Sequence, residues 1–287
     1  MRPRRRSEPA GAGGLLKEEA MKIEGKRVLV TGGSSGIGRA ITAALLGKGA
    51  RVVISGRRQD ALDAAVAELK AKGDVHGVCG DVTETAGRVA TLDGALAHLG
   101  GLDILVNNAG GVRAGRLEET SEAEIRAMVE VDLVAPILLT RAALPALRAS
   151  GEGLIADITS AIALIGMPFY ATYAATKAGL ARFDEALRRE LVGEGVGVLT
   201  IYPGATDTPM MRTSRAGAEV GFTKEPAEAV ADAVVVAIEG DGFEVVRGGE
   251  ARAQMIALNR TDPIALDRRF ADLKPALAEA VRDHSAL

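Results

Sequence analysis

The chain has 287 residues, with 35 Lys and Arg against 38 Asp and Glu, so its formal net charge is −3. That length can bury a sizeable core in one large domain, and the near-neutral balance gives no basic field to attract nucleic acid. A single cysteine, Cys79, excludes an internal disulfide and points to a reducing, cytoplasmic setting; the scattered His76, His98 and His284 offer no metal-ligand spacing, and no apolar run approaches the ~20 residues of a membrane span.

Residues 1–20 open with Met1-Arg2-Pro3-Arg4-Arg5-Arg6 and carry no apolar stretch behind the basic cluster. This predicts a disordered basic tail rather than a secretory signal. Met21 is an alternative start, and the folded domain is expected over 21–287. There follows Val28-Leu29-Val30-Thr31-Gly32-Gly33-Ser34-Ser35-Gly36-Ile37-Gly38-Arg39, an apolar run broken by glycines and resumed with helical spacing. It reads as strand, tight turn and helix start. Glycines there open backbone angles closed to other residues and let a pyrophosphate approach the unpaired N–H groups of the helix N-terminus. The segment from Gly32 through Ser34, Ser35, Gly36 and Ile37 to Gly38 is therefore the candidate dinucleotide turn, although its spacing is not GxGxxG.

Apolar runs at 28–30, 51–55, 75–79, 104–107, 154–159, 196–202 and 243–247 alternate with Ala-rich helical stretches at 37–48, 60–72, 86–99, 122–149, 173–192 and 226–239. Gly49, Gly73, Gly100 and Gly193 close four of these stretches as helix C-caps. Strands that are apolar throughout, each followed by a helix, predict an α/β fold: a doubly wound parallel sheet of about seven strands in a single domain.

The second strand ends at Ser55-Gly56-Arg57-Arg58, about twenty residues past the glycine turn. An acid at that position accepts from an adenosine ribose 2′-OH, whereas arginine suits a 2′-phosphate. With no acid there, Arg57 and Arg58 predict NADP(H) in preference to NAD(H). The third strand ends at Asp81-Val82 and the fourth at Asn107-Asn108-Ala109-Gly110. Both loops should reach the same crevice beyond the carboxyl ends of the strands, with Asp81 at the adenine.

Ser160 follows the fifth long strand, and Tyr173-Ala174-Ala175-Thr176-Lys177 opens a helix thirteen residues later. A spacing of four puts Tyr173 and Lys177 on one face, about one turn apart. An ammonium beside a phenol favours the phenolate and draws its pKa down from about 10, which suits a general acid/base. Tyr170 has Ala174 at the equivalent spacing and is expected to pack or to line an entrance.

Thr31-Gly32-x3-Gly36-Ile37-Gly38, Asn107-Asn108-Ala109-Gly110, Ser160, Tyr173-x3-Lys177 and Pro203-Gly204 followed by Thr208 resemble, in this order, the short-chain dehydrogenase/reductase family, in its compact single-domain branch. The resemblance implies Tyr173 as the acid/base, Ser160 as hydrogen-bond partner of the substrate oxygen, and Lys177 on the nicotinamide ribose. It further implies Asn108, Ala109 and Gly110 along the adenosine ribose, and Pro203, Gly204, Thr206 and Thr208 around the nicotinamide. The family usually has an asparagine where this chain reads Val131-Asp132-Leu133, and that asparagine serves a proton relay through the lysine. Asp132 would add negative charge within reach of Lys177, raise the lysine pKa, and make the phenolate harder to form. Asp157, within an apolar strand where the family often has asparagine, is expected to be a hydrogen-bonded structural group.

These residues predict hydride transfer between a nicotinamide cofactor and a small carbonyl or alcohol substrate. The substrate is expected under the segment 205–224, where Met210, Met211 and Phe222 mix with Arg212 and Arg215, suited to an apolar molecule with an acidic end. A last strand is expected at 243–247 and a helix over 264–284. By the resemblance, a homodimer or homotetramer forms, often through the long helix that carries Asp132. Two other readings stay open: a dinucleotide-binding scaffold without turnover, and an isomerase or dehydratase on the same framework.

Overall fold

The apolar runs become strands because alternate side chains can all be buried when helices cover both faces of a sheet. In the computed structural model, which describes residues 21–287, these runs form β1 (Arg27–Thr31), β2 (Arg51–Gly56), β3 (Val75–Cys79) and β4 (Ile104–Asn107), separated by α1 (Gly36–Gly47), α2 (Gln59–Leu69) and α3 (Thr85–Leu99). A two-residue strand, β5 (Val112–Arg113), precedes α4 (Glu122–Val129), α5 (Ala135–Ala149), β6 (Gly153–Ile158), α6 (Ala171–Glu190) and β7 (Val196–Tyr202). The chain ends with β8 (Thr206–Asp207), β9 (Glu225–Pro226), α7 (Ala227–Glu239), β10 (Glu244–Val246), α8 (Gly249–Thr261), α9 (Pro263–Val281) and β11 (Ser285–Ala286). The basic tail expected over 1–20 lies outside the described residues.

Seven parallel strands pair in the order β10-β7-β6-β4-β1-β2-β3. The chain runs outward from β1 in one direction to β3 and then returns to β4 on the other side. This switch point opens a crevice beyond the carboxyl ends of β1 and β4, where α/β sheets bind ligands. Val28 and Val30 join the core beneath α1 and α7, whereas Leu29 joins the opposite core against α3 and α5. A third apolar cluster lies outside the sheet and gathers Met167, Tyr170, Phe222, Met255, Phe270 and Val281.

Three expectations need correction. The helix expected over 122–149 is two helices joined by a π-helical turn at Glu130–Val134, with Pro136 in the first turn of α5. Proline lacks the N–H that an uninterrupted α-helix needs there, and the widened turn carries Asp132 into full burial. The strand expected at 243–247 shortens to Glu244–Val246. The tail is two helices rather than one: α8 was missed because only Arg252 and Met255 of its residues are buried, too few for a periodic stripe. Beyond α9, Ser285 and Ala286 return to pair antiparallel with Arg113 and Val112.

Candidate active site

Every predicted site residue except Gly38 and Asp132 lines one cleft of about 590 Å3 across the carboxyl ends of the strands. Gly38 and Asp132 lie just beneath its surface.

At the cofactor end, Gly36 takes φ +52, and no side chain caps the N-terminus of α1, so the N–H groups of its first turn are left for a ligand. A Cβ on Gly38 would sit 2.3 Å from Asn108 Nδ2 and 2.5 Å from the Gly32 carbonyl oxygen. This closeness permits a two-way lock. Asn108 Nδ2 donates to the Thr31 carbonyl at 2.9 Å and to the Gly32 carbonyl at 3.2 Å, while Thr31 Oγ1 accepts from the N–H groups of Asn108 and Ala109, each at 3.0 Å. Thr31, quoted only as part of the motif, thus ties the ends of β1 and β4 together. Arg57 and Arg58 stand at the end of β2, with Arg58 in an exposed pair with Asp60. Asp81 Oδ1 accepts from both the backbone N–H and the hydroxyl of Thr83, which fixes its loop.

On the floor, α6 presents Tyr173 and Lys177 towards the end of β6. Lys177 Nζ donates to the Ile158 carbonyl at 3.1 Å, lies 3.1 Å from Asp132 Oδ1, and stands 5.8 Å from the centre of the Tyr173 ring. Asp132 Oδ1 also accepts from the Gly111 N–H at 3.1 Å, and its Oδ2 has no partner among the described residues. Burial lifts the Asp132 carboxyl above the usual carboxylate range, although Lys177 and the Gly111 N–H pull it down. Burial lowers Lys177, but Asp132, Tyr173 and Asp157 together leave it above its ordinary value. For Tyr173 the balance differs from the expected lowering. Burial raises the phenol; Lys177 opposes that rise, Asp132 adds to it, and the neighbouring Ser160 hydroxyl opposes it, leaving the pKa raised overall. The ring is partly exposed to the cleft yet deep enough for desolvation to win. A pKa raised above its ordinary value keeps Tyr173 a neutral phenol at neutral pH.

Behind the floor, Asn107 Nδ2 donates to Asp157 Oδ1 at 2.8 Å and to Thr140 Oγ1 at 3.0 Å, so Asp157 is hydrogen-bonded as expected. Unexpectedly, it faces a second acid. Asp184 accepts from Thr200 Oγ1 at 2.9 Å, and burial followed by the charge of Asp157 lifts its pKa to about 10. The two carboxyls, 0% and 1% exposed, each leave one oxygen without a partner among the described residues, Asp157 Oδ2 and Asp184 Oδ1, and burial beside a like charge favours a proton held on the pair. Asp184 follows Lys177 by seven residues on the same helix, a spacing that places both on one face. That signal was available in the sequence and was missed.

The opposite wall comes from three distant segments: the loop between β6 and α6, the segment 205–224, and the C-terminal tail. Phe169 adopts φ +69, a strained angle for an aromatic residue, and brings Met167 and buried Tyr170 to the cleft, with the Phe222 ring tilted by 31° and centred 6.0 Å from that of Tyr170. His284 also lines this wall. Its imidazole is neutral, because burial, with Arg113 and Lys224, pushes its pKa down to about 4. Ala205, Met210, Met211 and Arg212 line the cleft, whereas Arg215 pairs with Asp283 at 2.7 Å and does not line it. Arg252 and His284 had no local signal, since each reaches the cleft only through the packing of the tail.

The parallel sheet, the uncapped glycine turn at its switch point, and the Ser-Tyr-Lys floor define a dinucleotide-binding α/β protein. Residues 26–219 match the family model described as short chain dehydrogenase. The chain is 34% identical to the ketoacyl reductase HetN of Nostoc sp. over 255 residues, covering 86% of this chain and 89% of that protein. Among solved structures, it resembles a short chain dehydrogenase of Burkholderia cenocepacia in complex with NADP (TM-score 0.74, 32% identity, 80% of this chain and 99% of that one). It also resembles a short chain dehydrogenase/reductase of Burkholderia phymatum in complex with NAD (TM-score 0.77, 25% identity, 84% and 95%). The chain belongs to the short-chain dehydrogenase/reductase family and is an oxidoreductase. Among the described residues no cluster of His, Cys, Asp and Glu is arranged to hold a metal, and no helix is long and apolar enough to cross a membrane.

Proposed function

We propose that this protein is an NADP(H)-dependent reductase that interconverts a small carbonyl compound and its alcohol, with Tyr173 as the acid/base. The observation that carries this reading is the convergence of Ser160, Tyr173 and Lys177 on the floor of a cleft whose far end is the uncapped glycine turn. The cleft suits a nicotinamide dinucleotide. The N–H groups at the start of α1 would hold the pyrophosphate, Arg57 and Arg58 a 2′-phosphate, Asp81 and Val82 the adenine, and Asn108 to Gly110 the adjoining ribose. Pro203, Gly204, Thr206 and Thr208 would border the nicotinamide, and Lys177 its ribose. When bound, the nicotinamide supplies or accepts the hydride. Ser160 would orient and polarise the substrate oxygen, and Tyr173 would pass it a proton.

The raised phenol pKa favours the reductive direction, because a neutral phenol can donate to a carbonyl oxygen as negative charge develops there. The NADP-bound relative and the arginines beyond β2 support the cofactor preference.

Titration of NADPH and NADH into the protein, followed by the cofactor's own fluorescence, is the first test, since the chain has no tryptophan. Tighter binding of NADPH is expected, and equal affinities would overturn the roles of Arg57 and Arg58. Tyr173→Phe should keep NADPH affinity and lower kcat for carbonyl reduction by about 100- to 10,000-fold. Retained turnover in this variant would remove Tyr173 as the acid.

A further inference from the structure

The substrate wall holds a buried cation without a counter-ion among the described residues. Arg252, in the first turn of α8, is only 7% exposed and lines the cleft together with Met167, Tyr170, Phe222 and His284. Its one side-chain hydrogen bond among the described residues runs from Nη1 to the thioether of Met167 at 3.5 Å, a weak acceptor. Other arginines of this part of the chain do have carboxylates: Arg247 pairs with Glu225, Arg215 with Asp283, and Arg113 with Glu124. His284 is neutral and cannot serve as counter-ion, and the single acid that lines the cleft among the described residues, Asp81, is engaged by Thr83 beyond β3.

A guanidinium stays charged even where burial disfavours the charge, and buried charges are ordinarily paired. Here the missing partner would have to enter from the cleft. The surrounding wall is apolar and offers one fork of N–H donors, which matches a planar monoanion better than a phosphate dianion. We propose that Arg252 is the seat of a substrate carboxylate, so that the protein acts on oxo acids or hydroxy acids whose apolar segment lies against Met167 and Phe222. The proposal rests on the carbonyl-reductase reading for the substrate's reacting group, but not for the anion seat itself.

Two measurements separate these claims. In the first, kcat/KM is compared for straight-chain oxo acids of increasing length and for their methyl esters, with NADPH as reductant. The wild-type enzyme should prefer the acids, and in Arg252→Met the acid-over-ester ratio should fall about 10- to 100-fold, the worth of a charge-assisted pair. Arg252→Lys keeps the charge without the fork and should recover part of that ratio, which guards against a folding defect in the methionine variant. In the second, hexanoate is titrated into the protein–NADPH complex and its binding read from the cofactor fluorescence, without any turnover. Binding that is saturable in the wild type and lost in Arg252→Met supports the seat.

An unchanged acid-over-ester ratio in Arg252→Met, or hexanoate binding equally to both proteins or to neither, overturns the proposal. So does a fall in NADPH affinity in Arg252→Met with the acid preference intact, because the arginine would then belong to the cofactor. Saturable, Arg252-dependent hexanoate binding with no carbonyl turned over would instead sink the reductase reading and leave the carboxylate seat standing.

Discussion

The two walls of the cleft are held together by opposite means. The cofactor wall is local and backbone-built: a glycine turn, an uncapped helix start, and the Thr31–Asn108 lock between neighbouring strands. The substrate wall is assembled from side chains far apart in the chain, among them Met167, Phe222, Arg252 and His284, closed by the β5–β11 pairing. Backbone recognition suits a ligand that does not vary, since it depends on a conformation rather than on any one side chain. A wall of side chains from separate loops can change its preference without disturbing the sheet.

The sharpest way to break the first wall alone is Gly38→Ala. A Cβ there meets a backbone carbonyl as well as Asn108, so the turn or the asparagine must move. Overpacking of this kind costs about 1–3 kcal/mol, more than the ~1 kcal/mol that alanine contributes in helix propensity. The expected outcome is a lower Tm and at least a tenfold weaker NADPH affinity. Normal NADPH affinity would show that the lock between β1 and β4 does not shape the pyrophosphate site.

The same contrast explains what could be read from the sequence. The order β1-turn-α1, the apolar strands and the Tyr173–Lys177 spacing are contiguous, and the structure has the doubly wound parallel sheet they predict. The π turn at Asp132 was only half legible: Pro136 marks a break in the helix, but the residues before it continue a helical pattern, and the burial of Asp132 against Lys177 and Gly111 shows only in the packing. Arg215 in turn drew attention by its loop, yet its carboxylate partner lies sixty-eight residues away at Asp283. Residue type marked the reacting groups; long-range pairing decided which cations remain free.

Between the walls, the floor offers a smaller test. Asp132 raises the Tyr173 phenol through its charge, so Asp132→Asn should lower that pKa. The fall of the reduction rate at high pH should then move to lower pH by about one unit, and alcohol oxidation, which needs the phenolate, should be faster at a given pH. NADPH affinity, set by the other wall, should change little. Coincident pH profiles for the two proteins would mean that Asp132 carries no charge while the enzyme turns over.

The smallest effect on catalysis and cofactor binding is expected beneath the floor, at Asp157 and Asp184, where the change falls on stability instead. Because Asp184 titrates near 10 in the folded protein and near 4 when unfolded, the folded state keeps a proton that the unfolded chain releases. The stabilising contribution is complete below about pH 4 and is lost progressively as pH rises towards about 10. Asp184→Asn removes this linkage yet keeps a donor for Asp157 and an acceptor for Thr200. Its Tm should therefore gain on that of the wild type as pH rises, by about 2–4 °C for each kcal/mol of linkage removed, with little change in NADPH affinity. Parallel Tm curves between about pH 5 and about pH 9 would show that the carboxyl pair holds no extra proton in the folded protein. The pair would then have to be read as two hydrogen-bond acceptors whose charges are met elsewhere, with Lys177 the nearest cation to supply that charge.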